Sequence, residues 1–361
     1  MYIPERDNWS TFKWDASALT VILEKVNRKQ GLLYGRLASL GFDSKLKAMA
    51  ENLTYDVVYS SEIEGIRLNV DEVRSSIARK LGIENVKQTA PSHYVDSVVS
   101  VMLDAVSHYA QPLTKDKLCA WQAAFFPTGF SEGSQIEVGK YRTNEEHIVS
   151  GMFGREKVHY IAPAPERVEG EMARFLDWFN RDENVSSVIR SAIAHLWFVS
   201  IHPFEDCNGR LARILSDMLL ARADKSEFRF YNISSQVNKD KNHYYDILEK
   251  TQHGDGGITE WISWYASTLA IALDEADILR EDIPGAKRPS YSIIYNPEDM
   301  TEFFSNINIE EDNGVNYLTA MYKGKTYVRE RVLPLDAERF RKGDLPVENL
   351  LAKYCSHIIT K

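Results

Sequence analysis

The sequence predicts a mainly α-helical protein, with one β-hairpin among the helices and a small α/β region at the C-terminal end. Three observations predict it. Apolar residues recur at helical spacing from Leu19 to about residue 280. The segment 128–163 breaks that period, is rich in glycine and holds β-type runs. Beyond a stretch at 281–290 rich in Pro, Gly and charge, residues 291–361 change texture. The expected organisation is an N-terminal helical region (1–110), a helical core (111–280), a linker (281–290) and a small C-terminal region (291–361).

Taken in order, Trp9, Phe12 and Trp14 lie in an irregular lead, and Leu19, Ile22, Leu23 and Val26 open a helix that runs to Leu40 and ends at Gly41. Leu46, Met49, Leu53 and Val57 give the buried stripe of a second helix over 44–64. A third starts at Asn69, with Glu72 in capping-box position, and closes at Gly82. Val95, Val98, Val99, Met102, Leu103 and Val106 mark a helix over 92–109; Thr114 caps another that ends near Pro127. Then come three extended runs, Val138–Thr143, His147–Gly151 and Lys157–Pro163, with Gly151 and Gly154 suited to a hairpin turn. Pro165 and Glu166 open a helix that turns Val168, Met172, Phe175, Leu176 and Phe179 inward. Two apolar helices follow: one carries Ile189, Ala192, Ile193, Leu196 and Trp197, the other Leu211, Ile214, Leu215, Met218 and Leu219. An extended link at 229–231, a helix from His243 to Gln252 and a long helix from Ile258 to Arg280 complete the core. In the tail, Val315–Val332 reads as a hairpin around Lys323-Gly324-Lys325, and 350–359 as a short helix or strand.

At 361 residues, with 44% hydrophobic and 26% charged residues, the chain has material for two or three ordinary domains. A net charge of −9 argues against a broad nucleic-acid-binding surface. Cys119, Cys207 and Cys355 are odd in number, lack metal-ligand spacing and read as reduced thiols. Residues 1–7 show neither a basic start nor an apolar run, and no stretch reaches membrane-spanning length, so the expected location is cytoplasmic, with no membrane partner.

Between the two apolar helices stands His202-Pro203-Phe204-Glu205-Asp206-Cys207-Asn208-Gly209-Arg210-Leu211-Ala212-Arg213. Pro203 discourages helix at His202, and Asn208-Gly209 is turn chemistry placed where the second helix begins. A helix start offers unpaired N–H groups and a positive dipole end, and therefore suits an anion. Arg210 and Arg213, one turn apart near that end, can grip phosphates. Asp206 is a hard oxygen ligand suited to Mg²⁺ beside them, and His202 can accept a proton from an attacking hydroxyl at neutral pH. Base, Mg²⁺ ligand and phosphate clamp together describe attack on a nucleotide phosphate.

This stretch resembles the Fic family signature H-P-F-x-D-G-N-G-R-x-x-R, with Cys207 where the family has Gly. The resemblance implies a Fic-type helical bundle and transfer of AMP from ATP to a hydroxyl side chain (Tyr, Ser or Thr) of a target protein or of the chain itself. His202 is then the general base and Asp206 the Mg²⁺ ligand; Cys207, Asn208, Gly209, Arg210 and Arg213 bind the nucleotide. Ser60-x-x-x-Glu64-Gly65 is similar to the family's inhibitory motif, which makes 44–65 an inhibitory helix whose Glu64 pairs with Arg213. Gly139-Lys140-Tyr141-Arg142-Thr143 matches the run that opens the family's flap, here 138–163. The flap would hold the target protein by β-augmentation and border the nucleotide with Ile148, Val149, Ser150 and Gly151. Tyr244, Tyr245 and Gln252 match positions near the base and ribose. The resemblance also admits a homodimer.

Three other outcomes fit the same residues. The site can remove AMP, with Glu64 orienting water, or it can use another nucleotide or phosphorylated donor. Alternatively, Cys207 impairs catalysis and leaves a nucleotide-binding regulatory module; if the backbone there has positive φ, a non-Gly residue costs about 1–2 kcal/mol.

Overall fold

In the computed structural model the described residues are 2–5, 9–38, 40–83, 89–131, 133–150, 157–181, 185–227, 229–278, 304–312, 315–324, 326–332, 334–343, 345–348, 350–351 and 354–355. Helices dominate: α1 (Ala16–Ala38), α2 (Phe42–Ile63), α3 (Val70–Lys80), α4 (His93–Ser107) and α5 (Lys115–Phe125) precede the strands. The strands are β1 (Phe130–Ser131) with β2 (Ser134–Gln135), then β3 (His147–Ser150) with β4 (Lys157–Ile161), two separate antiparallel pairs. After them run α6 (Pro165–Asn180), α7 (Ser187–Ile201), α8 (Asn208–Asp224), α9 (Ile233–Lys239), α10 (Lys241–Gln252) and α11 (Thr259–Ile278). The tail holds β5 (Phe304–Asp312), β6 (Val315–Tyr322), β7 (Thr326–Val332) and α12 (Pro334–Arg341). The chain divides into two compact units, Met1–Val26 with Ala50–Ala272, and Asn27–Met49 with Leu273–Lys361.

The helix boundaries follow from local chemistry. Asn69 caps α3 by accepting from the N–H groups of Asp71 and Glu72. The reciprocal half of the expected capping box is diverted, because the Glu72 carboxylate accepts from Ser92 N–H at 3.0 Å. Ser92 and Thr114 cap α4 and α5 through Val95 and Lys117 N–H. Asn232 caps α9 through Ser235 N–H, a short helix that the apolar period does not announce.

The core of the first unit is built on α7. From Val188 to Ile201 every residue but Arg190 is buried, as befits a helix that is apolar all round. Small polar residues let α8 approach it closely: Ser191 Oγ donates to the Ser216 carbonyl at 2.9 Å and shares a hydrogen bond with Tyr265 at 2.6 Å. Trp261 on α11 donates its indole N–H to the Ala192 carbonyl at 2.8 Å. Each such buried aromatic contributes roughly 2 kcal/mol through apolar burial.

Two expectations need correction. Val138–Thr143 is not a strand; the chain there is irregular, with Gly139 at φ 71° and Arg142 drawn into hydrogen bonds with loop carbonyls. The hairpin is therefore β3 and β4 alone, with a bulge between Ile148 and Val149. In the second unit the expected β6–β7 hairpin gains a further strand, β5, giving an antiparallel sheet of order β5-β6-β7. Phe304, Leu318, Ala320, Val328 and Val332 pack with Leu350, Leu351 and Tyr354 into its core. The linker 281–290 lies outside the described residues. No helix among the described residues is long and apolar enough to cross a membrane.

Candidate active site

The His202 loop is fixed from both sides. His202 ends α7 in the left-handed region, φ 51° and ψ 59°, just before Pro203. Its ring Nδ1 stands 3.0 Å from the Val199 carbonyl. A carbonyl only accepts, so Nδ1 carries the proton and Nε2 keeps the lone pair. Burial pushes the His202 pKa down to about 4, leaving the ring neutral at pH 7. Arg142, only 2% exposed, clamps the loop: Nε donates to the His202 carbonyl at 2.7 Å, and its own N–H to the Pro203 carbonyl at 2.9 Å. Its other nitrogens reach the Asn144 and Pro163 carbonyls at 2.7 and 2.6 Å, tying the loop to the roots of the hairpin. Asn208 closes the loop from within, accepting from Phe204 N–H at 3.0 Å and donating to the Phe204 carbonyl at 2.6 Å.

Cys207 precedes α8 at φ 83°, ψ 2°. Its side chain is buried, and burial pushes the thiol up to about 12, so it stays protonated. The first bond of α8 runs from Leu211 N–H to the Cys207 carbonyl at 2.9 Å. Helical geometry therefore leaves the N–H groups of Asn208, Gly209 and Arg210 without intrahelical partners. Beside this helix end, the Asp206 carboxylate accepts from Cys207 N–H and from the Ser131 hydroxyl. Arg210 is buried: Nη1 donates to Tyr94 Oη at 2.6 Å, Nη2 lies 3.4 Å from Asp206, and the guanidinium stands over the rings of Phe125 and Phe126.

α2 brings a carboxylate to the same helix end. Its last turn closes with Gly65 N–H on the Glu62 carbonyl and Ile66 N–H on the Ser61 carbonyl, at 2.9 and 3.0 Å. That paired pattern requires the left-handed residue that Gly65 supplies at φ 81°. Glu64 then meets Arg213, whose Nη2 donates to Oε1 at 2.7 Å. Ser60 steadies the same guanidinium, accepting from Nε at 2.9 Å through Oγ and from Nη2 at 2.8 Å through its carbonyl. Arg213 is 5% exposed, and its Nη1 has no partner among the described residues. Gly209 permits a close approach: a Cβ there would overlap Glu64 Oε1 and stand 3.2 Å from its Cδ and 3.4 Å from Arg213 Nη1, so the Glu64 carboxylate would have to shift. The Glu64 carboxylate thus sits on the anion cradle of α8.

Of the residues expected in the site, the fold brings together His202, Asp206, Cys207, Asn208, Gly209, Arg210, Arg213, Ser60, Glu64 and Gly65. It does not bring Tyr244 and Gln252 to an open surface. Tyr244 is 2% exposed and shares a 2.9 Å hydrogen bond with His195; Gln252 is 4% exposed and donates to Ser200 Oγ. Tyr245 is 40% exposed and reaches the Ile63 carbonyl at 3.4 Å. Ile148 is half-buried and Val149 exposed on β3; Gly151 and the side chain of Ser150 lie outside the described residues. The side chains of Asn208 and Cys207 face inward, leaving only their backbone to the cradle. Arg142, Tyr94 and Ser131 also support the site, and of the three only Arg142 lies in a motif, the Gly139–Thr143 run.

A model of the Fic/DOC family matches residues 112–220, which contain the whole His202–Arg213 stretch. A model of a domain of unknown function, DUF4172, matches residues 2–83, which contain Glu64. The protein adenylyltransferase Fic of Nematostella vectensis is 24% identical over 240 residues, 65% of this chain and 51% of its own length. A uridine 5'-monophosphate transferase of Xanthomonas campestris pv. campestris is 26% identical over 167 residues, 43% of this chain and 29% of its own. The chain thus spans about half, or less, of the length of these relatives. Among solved structures, a Fic family protein from Desulfovibrio desulfuricans G20 aligns with TM-score 0.57 at 20% identity, covering 74% of this chain and 77% of its own. A Fic domain containing signaling protein from Bacteroides thetaiotaomicron aligns with TM-score 0.50 at 20% identity, over 71% and 95%. Motif, family match and fold agree that residues 112–220 form a Fic domain.

Proposed function

We propose that this chain is a nucleotidyltransferase that moves AMP from ATP onto a hydroxyl side chain of a target protein or of itself, and that Glu64 holds the reaction off. The observation that carries this reading is a carboxylate resting on the start of α8, paired with Arg213 and closed over Gly209. A helix N-terminus with a buried arginine is a phosphate site, and Glu64 is an anion in its place. The names of the adenylyltransferase relatives support AMP as the group transferred.

In the reaction, the α8 N–H groups and Arg213 Nη1 hold the polyphosphate. His202 Nε2 takes the proton of the incoming hydroxyl. The hydroxyl oxygen bonds to the α-phosphorus, the bond from that phosphorus to the β-phosphate oxygen breaks, and pyrophosphate leaves with the electron pair. Arg142 keeps the base in place. Asp206, part-exposed beside the start of α8, is the hard-oxygen group that would hold Mg²⁺, which commonly takes one carboxylate and completes its shell with substrate phosphates and water. When bound, Mg²⁺ supplies charge neutralisation on the polyphosphate. With Glu64 on the cradle, ATP loses the orientation that in-line attack needs, and orientation alone is a large part of such a rate.

The target would add to the outer edge of β3 as an extended segment. The hairpin is anchored through β4, where Tyr160 Oη donates to the Ser200 carbonyl at 2.6 Å and Lys157 and His159 meet Glu249. A second reading differs in the donor base: the site residues meet phosphates, and one relative is a uridine 5'-monophosphate transferase. The test is Glu64→Gly incubated with Mg²⁺ and ATP labelled at the α- or γ-phosphate, or with α-labelled UTP. Protein-bound label from α-labelled ATP alone is expected. Label from the γ-position would mean phosphoryl transfer, and preference for UTP would establish the second reading.

A further inference from the structure

The contact between α2 and α8 does not end at the inhibitory ion pair. The two helices pass antiparallel, and their facing residues step one turn at a time: Glu64 over Gly209, Ser60 on Arg213, Asp56 on Asp217. The third step joins two carboxyl groups. Asp56 is 6% exposed and its Oδ1 has no partner among the described residues. Its carboxyl is hydrogen-bonded to that of Asp217 and to Ser234 on α9. Two carboxyls joined in this way hold one proton between them, since both cannot be anions at contact.

We propose that the Asp56–Asp217 pair is a pH-sensitive latch on the inhibitory helix: the shared proton bridges α2 to α8 and keeps Glu64 on Arg213, and loss of that proton frees α2 and opens the anion cradle. The surroundings allow one negative charge and resist a second. Arg229, from the link before α9, faces Asp217 at 2.8 Å but also meets Asp224 at 3.3 Å. Arg213 lies one turn away and is already committed to Glu64 and Ser60. Tyr265 of α11 and Ser234 add only neutral groups. A cavity of about 10 Å³, room for one water, lies beside Asp217 and is walled by residues of α7, α8, α9 and α11, so a charge on Asp217 has little solvent to meet.

The direction follows from linkage. Burial, then the Asp217 charge, raise the Asp56 pKa from 3.8 to about 8 when the helices are docked. Docked α2 therefore keeps a proton that freed α2 gives up. Docking is strongest below the ordinary carboxylate range, weakens by up to about tenfold per pH unit as pH rises, and levels off above about 8.

Two arms test this. The first, which rests on the proposed transferase reading, measures self-labelling of the unaltered protein and of Glu64→Gly from pH 6.5 to 8.5. Their ratio is the fold-inhibition, and dividing one rate by the other removes the pH dependence of the chemistry. It should fall by about tenfold across that range, because the docked proton is lost. In Asp56→Asn, whose amide donates to Asp217 and does not titrate, it should stay flat, with Asp217→Asn as a second form of the same test. A flat ratio in the unaltered protein, or the same fall in either amide variant, overturns the latch. The second arm needs no activity: hydrogen exchange at the amides of residues 57–63, referenced to α7. Protection should drop with pH faster than in α7 in the unaltered protein but not in Asp56→Asn. A drop parallel to α7 overturns the latch whether or not any label transfers, and if no form labels while protection drops, only the transferase reading fails.

Discussion

Two turns flank the Glu64–Arg213 contact, and both place one residue at nearly the same left-handed backbone angle. Gly65, at the end of α2, has φ 81°; Cys207, at the start of α8, has φ 83°. At the first, glycine adopts the angle without strain and the helix closes on the bonds the motif prescribes. At the second, a side chain is forced into a conformation that costs about 1–2 kcal/mol. The difference shows where the chain tolerates strain. Gly65 closes its turn with two backbone bonds and takes its angle without strain. The Cys207 loop is held from outside by Arg142 and from within by Asn208, and can carry a residue its backbone disfavours.

Removing the external support should have the largest effect. Arg142→Met leaves the His202, Pro163 and Asn144 carbonyls without their donor and should cost about 3 kcal/mol or more, a large drop in melting temperature with loss of transfer activity. An unchanged melting temperature would mean the loop holds itself. The two left-handed positions should then respond with opposite sign. Gly65→Ala should destabilise, and Cys207→Gly stabilise, each by about 1–2 kcal/mol in urea unfolding, with Cys207→Gly also raising transfer in the Glu64→Gly background. Equal effects of one sign would show that φ does not govern these turns.

Much of this was legible in the sequence because it depends on local chemistry. The caps Asn69 and Thr114, the closing Gly82 and the stripes of α2, α4, α6, α7 and α8 are properties of short windows. The Ser60-x-x-x-Glu64-Gly65 and His202–Arg213 spacings meet as the motifs imply. What escaped depends on distant parts of the chain. Val138–Thr143 has strand composition, yet Arg142 is drawn away by carbonyls some sixty residues on. Tyr244 and Gln252 have the residue types of ligand contacts, and only the packed structure shows them buried against His195 and Ser200 on α7, with Tyr244 also beside Arg213. The step that pairs Asp56 with Asp217 was present in the i, i+4 spacing of both helices, and only their antiparallel docking makes it a pair.

Glu64, seated on Arg213, is proposed to separate a resting site from a working one. That claim is tested most directly by self-labelling with α-labelled ATP and Mg²⁺ in three forms: unaltered, Glu64→Gly, and Glu64→Gly with His202→Ala. Label should rise well above the unaltered protein in the single variant and fall by about 10²–10⁴-fold when the base is removed. Equal label in the unaltered protein and Glu64→Gly would contradict the claim, and label that persists without His202 would contradict the role given to the base.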